Sequence, residues 1–213
     1  MNEYHKIQTM FKRDMQNNGK KLLEGQWTLP EFEYLANNVW VFTEKVDGTN
    51  IRIMFKDGAI TFGGKTDNAS IPALLFTRLN ERFLPLTNKM SEVFDGDVCL
   101  YGEGYGAKIQ KGGDNYLPYQ DFVLFDIKIG PWWLQRKDIE EIALEFDLPV
   151  VPVIGKGTLQ DAIATVRKGF ASVWGDFLAE GIVAKPEIEL NTRSGQRIIT
   201  KIKTRDFNEN QSR

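Results

Sequence analysis

Val39-Trp40-Val41-Phe42-Thr43-Glu44-Lys45-Val46-Asp47-Gly48-Thr49-Asn50 decides how the chain is read. Val39 to Phe42 is an apolar run of buried-strand character, Asp47-Gly48 is a turn signal, and a second strand starts at Ile51. Lys45 therefore stands where a strand ends. The unperturbed pKa of a lysine is about 10.4, and only its neutral amine attacks, so nearby cations or desolvation are needed to make it a nucleophile. A solvated lysine beside an ordinary hairpin fits the same residues, and the choice rests on context.

Downstream, Ile51-Arg52-Ile53-Met54-Phe55 alternates, Asp57-Gly58 turns, and Ala59-Ile60-Thr61-Phe62 returns, which predicts a hairpin. Gly63-Gly64-Lys65-Thr66 ends like a phosphate-binding loop, but such a loop needs glycine where Ala59 stands. Gly102-Glu103-Gly104-Tyr105-Gly106 likewise lacks the spacing of a dinucleotide-binding turn. A helix is predicted within residues 70–90, with Ser70 as N-cap, Pro72 in its first turn, and Leu75, Leu79 and Phe83 on one face. Residues 98–103 and 122–127 read as buried strands, and 137–146 as a helix. A second helix follows Thr158, carrying Leu159, Ala162, Ile163, Val166 and Phe170. Residues 150–153 read as extended, and 181–184 and 197–202 as the last strands. Residues 1–38 read as a lead-in without a domain of its own, and 208–213 as a polar tail.

Composition bounds the function. The chain has 213 residues, 42% hydrophobic and 26% charged, which predicts one folded unit over 1–213. Net charge is -2, from 27 basic and 29 acidic residues, so any nucleic-acid contact must come from a local patch. The one cysteine, Cys99, excludes an internal disulfide and reads as a buried strand thiol. With His5 the only histidine, a zinc site or a histidine triad has little to draw on. No apolar run is long enough for a membrane span or a signal peptide, which predicts a cytoplasmic protein without membrane contact.

The last strand predicts a cation pair. Lys201 and Lys203 share one face, roughly 6.6 Å apart along the strand, with Ile202 turned to the core. Such a pair suits a phosphate and would depress the pKa of an adjacent lysine, although a solvent-facing pair at a sheet edge has the same pattern. Glu103 and Glu180 border apolar strands, where a bare carboxylate is costly unless paired or hydrated.

In chain order, Lys45-Val46-Asp47-Gly48, Tyr101-Gly102-Glu103, Phe125-Asp126-Ile127, Glu180-Gly181-Ile182-Val183 and Lys201-Ile202-Lys203 resemble the motif series of the covalent nucleotidyltransferases. These are the superfamily of ATP-dependent DNA ligases, RNA ligases and mRNA-capping enzymes. The resemblance implies an α+β, ATP-grasp-like adenylation domain with antiparallel sheets flanked by helices. It implies Lys45 as the nucleophile that takes AMP from ATP, with Lys201 and Lys203 at the α-phosphate. Asp47 would orient the amine or bond the nucleotide sugar, and Phe125 would stack on adenine, against the alternative of an ordinary core phenylalanine. Glu103 would meet the ribose or a metal-bound water, and Glu180 would hold a divalent cation, Mg2+ or alternatively Mn2+. Thr43, Glu44, Gly48 and Asn50 join the nucleotide-binding set. Lys65 falls where the superfamily often has a basic residue, with an exposed loop lysine as its alternative.

Within the superfamily, DNA ligases commonly carry arginine where this chain has Asn50. The string Glu44-Lys45-x-x-Gly48-Thr49-Asn50 is similar to the RNA ligase 2 group of bacteriophage T4, departing at Asp47, where that group often has histidine. The expected substrate is a nucleic acid with 5'-phosphate and 3'-hydroxyl ends, RNA favoured, with a small phage-type repair enzyme implied by resemblance only. The ten residues after Lys203 hold neither an OB-fold nor a helical C-terminal domain. Substrate grip is then expected from Lys108 and Lys111 or from a partner protein, and the enzyme is expected to be a monomer. A DNA ligase, or a nucleotide-binding or interaction module that no longer seals strands, is the alternative.

Overall fold

The computed structural model of the chain describes residues 3–19 and 21–207. The tail at 208–213 lies outside the described residues, as do Met1, Asn2 and Lys20 of the lead-in. The strands are Gln8–Thr9 (β1), Phe11–Arg13 (β2), Leu22–Trp27 (β3), Trp40–Glu44 (β4), Thr49–Lys56 (β5), Ala59–Gly63 (β6), Val98–Gly106 (β7), Gln120–Ile129 (β8), Trp132–Trp133 (β9), Val153–Gly157 (β10), Gly181–Pro186 (β11) and Thr200–Lys203 (β12). The helices are Pro30–Tyr34 (α1), Ala73–Phe83 (α2), Thr87–Val93 (α3), Arg136–Glu145 (α4) and Leu159–Lys168 (α5). The chain divides into two compact units, one of residues 1–5 and 47–151, the other of residues 6–46 and 152–213. The fold is thus α+β, with antiparallel sheets flanked by helices, as expected from the sequence.

The first unit holds the antiparallel sheet β6-β5-β7-β8-β9. Its hairpin is the expected one: Asp57 and Gly58 both have positive φ, 50° and 74°, which matches the twist of the flanking strands. Ile51, Ile53, Val98, Leu100, Phe122 and Leu124 pack on one face with Leu75, Leu79 and Phe83 of α2. Gly102 and Gly104 face this core, and a Cβ on either would sit 2.2 Å from Phe122 or 2.4 Å from Leu75. That alternation turns Glu103 to the opposite face.

The helix expected within 70–90 is present as α2, with its start corrected. Pro72 occupies the N-cap position of α2 with no side-chain cap, so Ser70 lies outside it. Pro85, which lacks an N–H and clashes with the carbonyl four residues back, sits in a 3-10 turn at Leu84–Leu86 that separates α2 from α3.

The second unit holds a sheet in the order β1-β12-β11-β4-β10, with only the β1–β12 pair parallel, and a β2–β3 hairpin. Trp40, Phe42, Ile182, Ala184 and Ile202 pack against Leu159, Ala162, Ile163 and Val166 of α5. Thr158 caps α5 as its sequence predicts: its hydroxyl accepts from Asp161 N at 3.2 Å, and the Asp161 carboxylate accepts from Thr158 N at 2.8 Å. Phe170 lies beyond the helix. The last strand is shorter than the expected 197–202 start, because Thr192 and Gln196 close a turn there, with Ile198 N donating to Leu190 O at 2.9 Å.

Candidate active site

In the second unit, alternation decides what β4 presents. Trp40 and Phe42 enter the core, so Val41 and Thr43 take the opposite face. Lys45 follows the strand and extends its pairing by one bond, Lys45 N to Gly181 O at 2.9 Å. Register then aligns the neighbours: Val183 lies between Thr43 and Lys201, and Gly181 opposite Lys203. With Ile182 and Ile202 in the core, Thr43, Lys185, Lys201 and Lys203 share the noncore face. Thr43 Oγ1 donates to Val183 O at 3.3 Å.

Glu180, just before β11, joins two of these lysines. Its Oε2 lies 2.6 Å from Lys45 Nζ and its Oε1 2.7 Å from Lys203 Nζ. The side chains are only 12%, 19% and 17% exposed respectively, so these charge-assisted bonds are sheltered from solvent screening. Thr204 fixes the Glu180 backbone, its N donating to Glu180 O and its hydroxyl to Ala179 O, both at 2.8 Å. Two cations thus converge through one carboxylate, where the sequence alone predicts direct repulsion between lysines.

The Glu44 side chain is bonded within the protein. It is 1% exposed, and its carboxylate accepts from Ser172 Oγ at 2.6 Å and Val173 N at 2.9 Å. Burial pushes this carboxyl above its ordinary value, and the two hydrogen bonds pull against that shift. Both oxygens are committed to the 171–178 loop that leads into Glu180.

In the first unit, the Asp47-Gly48 turn rests on β7. A Cβ on Gly48 would meet Gly104 O at 2.2 Å and Glu103 Cγ at 2.8 Å, so only glycine permits this approach. Asp47 N donates to Tyr116 Oη at 3.2 Å, and Gln110 Nε2 to Gly48 O at 3.0 Å. Asn50 lies opposite Glu103 and Glu103 opposite Val123, on the face away from the core. Asn50 Oδ1 is buried without a hydrogen-bond partner. Arg52, fully buried on that face, donates to Gly64 O at 2.9 Å and pairs with Asp67 at 2.7 Å, holding the loop that carries exposed Lys65.

Phe125 owes its direction to a bulge. Tyr101 pairs with Asp126 but Gly102 with Leu124, which leaves Phe125 as the extra residue. Leu124 and Ile127 can then both enter the core, while half-buried Phe125 meets the Tyr4 ring edge-on at 5.0 Å. Tyr4 Oη also donates to Asp126.

The structure therefore gathers Lys45, Glu180, Lys201 and Lys203 in one unit, and Gly48, Asn50 and Glu103 in the other. Sequence reasoning missed Ser172, Tyr116 and Gln110, which carry no local signal. It also missed Lys185, which strand alternation from Val183 could have found. Among the described residues no three His, Cys, Asp or Glu side chains gather as a metal site, and no helix is long and apolar enough to cross a membrane.

Comparison with known proteins bears on the fold and the family. No curated protein matches the chain. Solved structures of the RNA ligase of Naegleria gruberi do match. The form with pyrophosphate is 19% identical, with a TM-score of 0.68, over 99% of this chain and 60% of that one. A lysine-to-alanine variant with ATP and manganese is 19% identical, with a TM-score of 0.66, over 95% of this chain and 58% of that one. A lysine-to-methionine variant with AMP and manganese is 19% identical, with a TM-score of 0.64, over 95% and 58%. The chain thus spans about three fifths of the Naegleria chains, whose fold it shares. The RNA ligase family model covers residues 38–203, the stretch from Lys45 to Lys203 that builds the lysine–carboxylate cluster, and the chain belongs to the RNA ligase family.

Proposed function

We propose that this chain is the nucleotidyltransferase domain of an ATP-dependent RNA ligase, with Lys45 as its nucleophile. The observation that carries the reading is the Glu180 carboxylate bound to both Lys45 and Lys203. It holds the amine in place and offers an acceptor for its proton. Lys201 and Lys203 supply the charge that a phosphate requires. In the first unit, the buried and unpartnered Asn50 Oδ1 beside Glu103 is a group that a nucleoside could satisfy, and Phe125 is a ring for its base.

The reaction has three displacements. Lys45 Nζ forms a bond to the α-phosphorus of ATP as the bond to pyrophosphate breaks, and the amine loses its proton. A 5'-phosphate oxygen then attacks the same phosphorus, breaks the P–N bond and returns Lys45 as an amine. A 3'-hydroxyl finally attacks the 5'-phosphorus, and AMP leaves as the phosphodiester forms. Positioning and charge neutralisation supply most of the acceleration in such transfers.

A divalent cation fits the donor set if it takes few protein ligands. Glu180, in the second unit and also bound to Lys45 and Lys203, is the carboxylate that would hold it there, and magnesium commonly binds through one or two carboxylates with substrate phosphates and water. When bound, it would neutralise charge on the phosphates. The Naegleria complexes with ATP and manganese support this use of nucleotide and metal. Asn50, where DNA ligases commonly carry arginine, supports RNA.

Joining of 5'-phosphorylated nicked RNA, nicked DNA and single-stranded RNA, compared with Lys45→Ala, tests the reading. Sealing of an RNA substrate that vanishes in the variant is expected. Sealing of DNA alone would move the chain's activity to the DNA ligases, and sealing by Lys45→Ala would exclude this nucleophile.

A further inference from the structure

Within the first unit, away from the Glu103 face, α2 and the 107–120 segment enclose a groove of about 570 Å³. This is the size range of small-ligand sites. The α2 residues lining it, Leu74, Arg78 and Glu81 among them, lie on a helix face roughly 100° round from core-facing Leu75 and Leu79. Its other wall includes Lys108, Tyr119 and Gln120. Tyr119 and Leu74 are 55% and 64% exposed, leaving an aromatic and an aliphatic wall in solvent.

The polar groups are unfinished. Gln120 is 8% exposed, and its Nε2 donates to Ala107 O at 2.8 Å, but its Oε1 is buried without a partner. Arg78 is held by Asp121 at 3.1 Å through Nη2, while its Nε is buried and also lacks a partner. An unmet acceptor and an unmet donor are costly to leave in place. Asp121 is shared by Arg78 and Arg82, at 3.1 and 2.8 Å, and Lys108 offsets Glu81 in charge, so the lining keeps little free charge and its exposed aromatic wall suits a base better than a lone phosphate. The same segment reaches the lysine motif, through Gln110 to Gly48 and Tyr116 to Asp47.

We propose that this groove takes one unstacked base of the RNA strand being joined. The base lies against Tyr119, with its hydrogen-bonding edge toward Gln120 Oε1 and Arg78 Nε. This inference rests on the RNA-ligase reading for the identity of the strand. Aromatic stacking and a donor–acceptor pair are what an unstacked base offers and what a paired duplex conceals.

Fluorescence anisotropy without ATP tests it, using a labelled 5'-phosphorylated single-stranded RNA and a DNA of the same sequence. Tyr119→Ala should weaken RNA binding roughly 5- to 150-fold, the range of one base–aromatic stack, and Tyr119→Phe should stay within about twofold. Equal loss with DNA supports a base as the shared ligand, while loss with DNA alone overturns RNA as the occupant. Unchanged RNA binding overturns the proposal, whether Tyr119→Ala weakens ATP binding, which would assign the groove to a mononucleotide, or changes neither, as a protein-binding groove would. Because no ATP is present, a protein that never adenylates but loses RNA with Tyr119→Ala keeps the groove and loses the ligase chemistry. The reverse result keeps the chemistry and removes the groove.

Discussion

The two five-stranded sheets solve the same problem by different means. Each has an apolar face covered by helices and presents its candidate chemistry on the other. In the second unit that face is ionic: Lys45 and Lys203 meet on Glu180, with Lys201 and Lys185 on neighbouring strands. In the first unit it is a mixed polar and aromatic face, with Asn50 beside Glu103, the buried guanidinium of Arg52, and Phe125 turned outward by a bulge. Strand register alone assembles most of the ionic site. The polar one also needs a bulge, a close glycine contact and long-range ties from Tyr116 and Gln110. A phosphate asks for charge, and a nucleoside asks for shape and unmet hydrogen bonds.

The contrast can be broken at its strongest point. Glu180→Ala should cost the most, about 10²- to 10³-fold in the single-turnover rate of AMP transfer to the protein, as expected for loss of a preorganised electrostatic group. Asn50→Ala should act mainly on nucleotide binding, and an equal loss of rate at saturating ATP would erase the proposed division of labour.

Stability sharpens the comparison at the next scale. Leu79→Ala removes a fully buried side chain from the first core and should cost about 2–5 kcal/mol in urea unfolding. Thr158→Ala removes the α5 cap in the second unit and should cost about 1 kcal/mol. A larger loss from the cap than from the cavity would contradict this description of the cores.

The smallest effect is a pH dependence. Glu44 has a raised carboxyl pKa in the folded chain, so between the ordinary value near 4.5 and the raised one the native state binds more protons than the unfolded chain. Its contribution is fullest below that window and is lost as pH rises through it. Glu44→Gln, which stays neutral, should therefore gain stability relative to wild type as pH rises from below 4.5 toward neutrality, read as a shift in urea midpoints. A flat difference would show that the bonds from Ser172 and Val173 balance desolvation, and one that moves the other way that they outweigh it.

Local rules reached a good part of this structure. The hairpin at Asp57-Gly58, the Thr158 cap, buried Cys99, and the shared face of Lys201 and Lys203 each depend on residues a few positions apart. What escaped depends on distant partners. Ser172 meets Glu44 across 128 positions, and Tyr116 meets Asp47 across 69, so no spacing announces either pair. The bulge at Phe125 is a mismatch between two strands and is invisible in either alone. Pro85 is a local helix breaker, and the apolar spacing of Leu75, Leu79 and Phe83 ends just before it.

The most direct test is the intact mass of the purified protein after incubation with ATP and a divalent cation, wild type beside Lys45→Ala. Wild type is expected to gain the mass of one AMP, hydroxylamine to remove it, and the variant to gain nothing. An AMP adduct on Lys45→Ala, or none on wild type with either magnesium or manganese, would contradict Lys45 as the nucleophile.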